Sequence, residues 1–108
     1  MRRAARVDEN QSQLVAALRS AGCSVTLLHQ VGEGCPDLLI GVAGVTGLAE
    51  VKDGAKSASR RVKTPAQVVW WREWRGGPVA TITDIEGALH FAAFLKNSLP
   101  QRVGATDG

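Results

Sequence analysis

Two short apolar runs, Leu38-Leu39-Ile40-Gly41-Val42 and Leu48-Ala49-Glu50-Val51-Lys52, constrain this chain more than any other feature. Only Ala43 and Gly44-Val45-Thr46-Gly47 separate them, so they read as one antiparallel hairpin. Each run carries charge at one end: Asp37 opens the first, and Glu50 and Lys52 close the second. Folding the hairpin therefore brings Asp37 and Glu50 to the same end of neighbouring strands. Strands this apolar belong in a core, where a carboxylate stripped of water costs several kcal/mol unless it is paired or ligates a metal. Three converging charges on two such strands read as a metal-dependent active site.

The remaining elements follow in order. Leu14, Ala17, Leu18 and Ala21 recur at helical spacing, predicting a helix from about Asp8, its N-cap, to Ala21, with Gly22 ending it. Ser24 to Gln30 has strand composition, and Val31-Gly32-Glu33-Gly34 is a glycine-rich turn. Pro36 stands where a missing N–H need not break a ladder, so the next strand covers Asp37 to Val42 and its partner Leu48 to Lys52. Asp53 to Lys63 is a polar, basic loop. Thr64-Pro65-Ala66-Gln67 has the form of a capping box with proline at the first helical position, starting a helix that runs to Arg75 before Gly76-Gly77-Pro78. Val79 to Thr83 is a fourth strand, and Asp84 caps a last helix over Ile85 to Asn97. The order α-β-β-β-α-β-α predicts an α+β (α/β) fold. It is a mixed sheet flanked by helices, with the hairpin antiparallel and the strands around the second helix parallel. One domain over residues 8–98 is expected, between a basic arm at 1–7 and a loose tail at 99–108.

Composition removes several function classes. With 108 residues there is room for one core. Without tyrosine, a tyrosine-nucleophile recombinase, topoisomerase or relaxase is excluded. No Gly-x-x-x-x-Gly-Lys-Ser/Thr occurs, which excludes a P-loop NTPase, and no nucleotide cofactor is expected. Cys23 and Cys35 lack the spacing of a zinc module or a disulfide scaffold and read as reduced thiols. The basic start Met1 to Arg6 is not followed by an apolar run, and no stretch is long enough for a membrane span. A cytoplasmic protein is therefore expected, with no membrane partner.

Four elements together carry a family resemblance: Glu9 on the first helix, Gly34-x-Pro36-Asp37 entering a strand, Glu50-Val51-Lys52, and Thr64-Pro65-x-Gln67 opening the next helix. In this order they resemble the PD-(D/E)xK nuclease superfamily, in particular its small VRR-NUC branch of stand-alone, phage-type, Holliday junction resolvase-like enzymes. The resemblance covers about residues 8–84. The region 53–63 is longer and more basic than a minimal connection, and the last helix lies outside the shared core. It implies a restriction-endonuclease-like αβββαβ core with an extra C-terminal helix, working in a bacterial or phage-infected cell. Glu9 would complete the site as a further ligand or through a metal-bound water, and Gln67 would orient Lys52 or a water.

Phosphodiester hydrolysis fits the same residues on chemical grounds. Mg²⁺ or Mn²⁺ stabilises charge on the phosphoryl oxygens and activates water, and such hard ions take carboxylate and carbonyl oxygens. Asp37 and Glu50 are the natural ligands, with the backbone carbonyl of Val51. Lys52 shares the face of Glu50 by strand alternation and can orient the attacking water or neutralise charge. Each residue also has an ordinary explanation. Glu50 and Lys52 could be a surface ion pair, Asp37 a turn former, Glu9 a helix-dipole residue and Gln67 simply half of a capping box.

The net charge is only +3, but basic residues cluster in the loop (Lys56, Arg60, Arg61, Lys63) and the arm (Arg2, Arg3, Arg6), suiting phosphate contacts. Arg72 and Arg75 are weaker candidates. Trp70, Trp71 and Trp74 suit packing or an interface better than base stacking. The expected activity is a metal-dependent, structure-selective DNA endonuclease acting on branched DNA, foremost four-way junctions. Two symmetric nicks call for a homodimer. The alternatives are a non-catalytic nucleic-acid-binding module on the same fold and a sequence-specific restriction-type nuclease.

Overall fold

The computed structural model describes residues 10–54 and 63–98. The basic arm, Asp8, Glu9, the loop residues Lys56, Arg60 and Arg61, and the tail 99–108 lie outside the described residues. The chain folds as α1 (Gln11–Ser20), β1 (Ser24–Leu27), β2 (Leu38–Val42), β3 (Val45–Val51), α2 (Pro65–Glu73), β4 (Val79–Ile82) and α3 (Ile85–Lys96). This is an α+β fold in which one mixed four-stranded sheet, ordered β1-β2-β3-β4, is flanked by helices. β1, β2 and β3 are successively antiparallel, while β3 and β4 are parallel across the α2 crossover.

Alternation explains the layers. Val25, Leu38, Ile40, Ala49, Val51 and Ile82 turn to one face, where they meet Leu14, Val15 and Leu18 of α1 and Ala88, Phe91, Ala92 and Leu95 of α3. Leu48 and Glu50 point to the opposite face, which α2 covers through Gln67. From Gly47 to Val51 every residue of β3 is buried, so the strand is covered on both sides.

Several boundaries differ from the sequence expectation. α1 has Asn10 rather than Asp8 at its N-cap position, and its buried stripe is Gln11, Leu14, Val15 and Leu18. Ala17 and Ala21 are only half-buried. β1 ends at Leu27 instead of Gln30, because the chain turns back with Val31 N–H donating to the Leu28 carbonyl. β3 begins at Val45 rather than Leu48. The hairpin turn is the pair Ala43-Gly44, both at positive φ (53° and 78°), the geometry of a tight two-residue connection. Alanine is an unusual occupant of that conformation, which hid the turn. α2 stops at Glu73, two residues before Arg75, because Trp74 is already extended.

The capping predictions for the other two helices hold. Thr64 and Gln67 form a complete capping box on α2, and the Asp84 side chain accepts from Gly87 N–H on α3. Gly34 joins the turn before β2 to the first turn of α2. It has φ +82°, and a Cβ there would overlap the Ala66 carbonyl. Gly32 also has positive φ (+78°) but faces open space. Gly34→Ala should therefore cost at least about 2 kcal/mol in denaturant unfolding, from left-handed strain plus the clash. Gly32→Ala should lose only the strain of about 1 kcal/mol.

Candidate active site

The site assembles on β3, the strand buried on both faces. Glu50 is only 3% exposed. Its Oε2 accepts from Gln67 Nε2 at 2.5 Å and lies 3.5 Å from Lys52 Nζ. Its Oε1 is buried and has no hydrogen-bond partner. A carboxylate oxygen held dry without a donor costs about 1–3 kcal/mol or more, so its retention calls for a physical reason.

Asp37 approaches from the start of β2. The regular ladder ends at Leu38 opposite Ala49. Beyond it, the Asp37 N–H donates to the Ala49 carbonyl at 3.0 Å, and its Oδ2 accepts from Val51 N–H at 2.8 Å. Asp37 thus grips β3 on either side of Glu50. Buried Pro36, with no N–H of its own, precedes it. In an antiparallel strand a residue's N–H and C=O face the same side, so the Val51 carbonyl looks toward Asp37 as well.

Lys52 and Gln67 close the arrangement from the other side. Lys52 Nζ donates to Gln67 Oε1 at 3.3 Å, and the same oxygen accepts from Thr64 N–H at 2.9 Å. The capping box and the bridge to Glu50 and Lys52 are therefore one network. The structure brings Asp37, Glu50, Lys52 and Gln67 to one place, as the sequence reading had them. Glu9 lies outside the described residues. Its neighbour Asn10 anchors the start of α1 beside Lys52, donating from Nδ2 to the carbonyls of Thr83 (2.9 Å) and Lys52 (3.4 Å). The sequence reading passed over Asn10, and a cap-forming residue next to Glu9 was its only signal.

Burial pushes the Glu50 carboxyl up from 4.5 to about 7, and the Asp37 charge adds to the rise. Lys52 and the hydrogen bonds from Lys52 and Gln67 oppose it. Cys35 belongs to the same neighbourhood: burial, then the charges of Asp37 and Glu50, raise its thiol. Among the described residues no three His, Cys, Asp or Glu side chains gather to hold a metal. The donor set that is present, two neighbouring carboxylates with one oxygen dry and unpartnered, suits a hard cation that keeps several of its waters.

Of the basic loop and arm residues, Lys63 alone lies within the described residues, and its Nζ sits 3.9 Å over the Trp71 ring; of the weaker candidates, exposed Arg72 lies 3.8 Å from the Glu73 carboxylate. Trp70 and Trp74 stack on each other with centroids 4.8 Å apart. Trp74 also donates from Nε1 to the Gly77 carbonyl, and its ring lies against Gly76. These indoles fasten the end of α2, which buries none of its residues fully. A crevice of about 710 Å³ opens instead beyond the ends of β3 and β4. Its described walls carry Asp53, Asp84 and Glu86 and no basic side chain, so it would repel a polyanion.

No family model, curated protein or solved structure matches the chain. Among the described residues no helix is long and apolar enough to cross a membrane.

Because the folded state holds the Glu50 proton more tightly than the unfolded chain, the neutral form contributes stability that is fully present below pH 4.5 and lost as pH rises through about 7. Glu50→Gln mimics that neutral form. In EDTA it should be more stable than the natural chain at pH 8 by about 1–3 kcal/mol and equal to it near pH 4.5, by thermal or denaturant unfolding.

Proposed function

We propose that the protein is a Mg²⁺- or Mn²⁺-dependent DNA endonuclease of the PD-(D/E)xK type, with a restriction-endonuclease-like core, acting on branched DNA such as Holliday junctions. The observation that carries this reading is the meeting of Asp37, Lys52 and Gln67 around the dry, half-partnered carboxylate of Glu50. Asp37 and Glu50 would hold the ion, Glu50 through Oε1, with the Val51 carbonyl as a further oxygen and Glu9 completing the set. When bound, the ion supplies charge neutralisation and a water of lowered pKa. Lys52, held between Glu50 and Gln67, places a positive charge where negative charge develops on the phosphoryl oxygens. Gln67 bonds both Glu50 and Lys52 and so fixes the two side chains relative to each other.

Arg2, Arg3, Arg6, Lys56, Arg60, Arg61 and Lys63 supply phosphate contacts in this reading. Two copies would make the paired nicks of a junction. The exposed Ile85, Leu89 and Phe94 of α3 offer apolar surface for that contact, and light scattering should find a species of two chains. A second reading, a non-catalytic nucleic-acid-binding module, draws on the lack of a three-residue ligand cluster among the described residues.

A cleavage panel separates the two. Junction, flap, single-stranded and linear duplex DNA are incubated with Mg²⁺, Mn²⁺ or EDTA. The natural chain should cut junctions only with metal. Asp37→Ala and Lys52→Ala should each lose about 100-fold or more in rate while retaining binding. Undiminished cutting by either variant would overturn the site assignment, and no cutting by the natural chain would favour the binding module.

A further inference from the structure

Lys52 stands where β3 has ended and the chain turns off toward the basic loop. Its ammonium reaches Gln67 Oε1 at 3.3 Å and Glu50 Oε2 at 3.5 Å. Those contacts need the backbone of Lys52 to stay extended one residue past the strand, because only period-two alternation puts its side chain on the Glu50 face. The Lys52 N–H keeps to the ladder, donating to the Ile82 carbonyl at 3.0 Å. The Lys52 carbonyl is met by a side chain from another element, Asn10.

Asn10 occupies the N-cap position of α1, and its carbonyl accepts from Leu14 N–H at 3.2 Å. Its side chain makes no cap bond to the helix, although asparagine is among the best capping residues. Nδ2 donates instead to the Thr83 carbonyl at 2.9 Å and the Lys52 carbonyl at 3.4 Å, partners 73 and 42 residues away in sequence. Two carbonyls can only accept, so the donor end of the amide must face them, and Oδ1 is left buried without a partner. Serine or threonine would start the helix without leaving that amide oxygen unmet, but neither offers two N–H donors. The side chain therefore serves the two carbonyls rather than its own helix. The Thr83 carbonyl also accepts from Gly54 N–H at 3.4 Å, so the same joint holds the chain on the far side of Lys52.

We propose that Asn10 is a positioning residue for Lys52. The bond from Ile82 to the Lys52 N–H and the bond from Asn10 to the Lys52 carbonyl hold the peptide units on both sides of its Cα, which fixes the direction of the side chain. Without Asn10 the second of these is lost, and the last dihedral before the loop is free to turn the ammonium away from Glu50 and Gln67. The role rests on the nuclease reading for the step that Lys52 serves, while the clasp itself is a property of the folded chain.

Asn10→Ser keeps a capping residue and removes the amide donors. Single-turnover cutting of a four-way junction with Mg²⁺ is measured beside junction binding, in the natural and the Lys52→Ala backgrounds. In the natural background Asn10→Ser should cut about 10-fold more slowly, about the worth of one hydrogen bond, with Kd for the junction unchanged. In the Lys52→Ala background it should change the rate by less than about 2-fold, because the group it positions is gone. A smaller folded fraction would instead slow both backgrounds alike. Amide hydrogen exchange gives a readout apart from cutting: Asn10→Ser should speed exchange at Lys52 and leave Leu48, bonded to Pro78 at the other end of the ladder, unchanged. Full-rate cutting by Asn10→Ser, or an equal loss in both backgrounds, would overturn the positioning role and leave the nuclease reading standing. If the natural chain cuts no DNA, that reading falls and exchange at Lys52 decides the clasp: faster exchange in the variant supports it, and unchanged exchange overturns it. Asn10→Asp, of the same shape without the donors, supplies these comparisons if Asn10→Ser fails to fold.

Discussion

The carboxylate of Glu50 is the group on which the rest of the structure depends. It lies 3% exposed on a strand covered on both faces, and burial with a like charge nearby lifts its pKa to about 7. Such a group must be surrounded by compensating partners. Gln67 supplies a hydrogen bond, Lys52 a charge, and Asp37 fixes the backbone on either side of it. What these partners leave unmet is one oxygen, Oε1. The core is arranged to keep the carboxylate dry, and the polar network is arranged to keep it incompletely satisfied. In the proposed reading, that unmet oxygen is the one offered to the metal ion.

The network also binds distant parts of the chain into one unit. Gln67 reaches Glu50 only because α2 begins where it does, and α2 begins there because Thr64 and Gln67 cap each other and Gly34 lets the β2 approach press on Ala66. Asn10 ties the start of α1 to the ends of β3 and β4 in the same region. Local capping preferences of about 1 kcal/mol each thereby set the position of the site as well as the ends of helices. The tryptophans act at the far end of α2, where Trp70, Trp74 and Gly77 secure its last turn.

Most of the fold was legible because its signals are local. Apolar alternation marked the hairpin, Thr64-Pro65-x-Gln67 and Asp84 marked two helix starts, and the order of elements implied the mixed sheet. The errors fell where local preference was overruled. Ala43 occupies a left-handed turn that alanine rarely adopts, and β1 was shortened by a turn that its strand-like residues did not announce. Asp37, Glu50 and Lys52 could be picked out as a set because charges in apolar strands are costly, and strand alternation then put Glu50 and Lys52 on one face.

The sequence by itself determined the order of elements, the central hairpin and the residues whose charge had to be reconciled with a core. These follow from periodicity and from the cost of burying charge, which act over a few neighbouring residues. Only the tertiary structure decided that Gln67 serves its cap and Glu50 together, that Asp37 grips Ala49 and Val51, and that Glu50 Oε1 is left without a donor. Hydrogen-bond satisfaction depends on what the fold brings within about 3 Å, and no pattern along the chain encodes that distance.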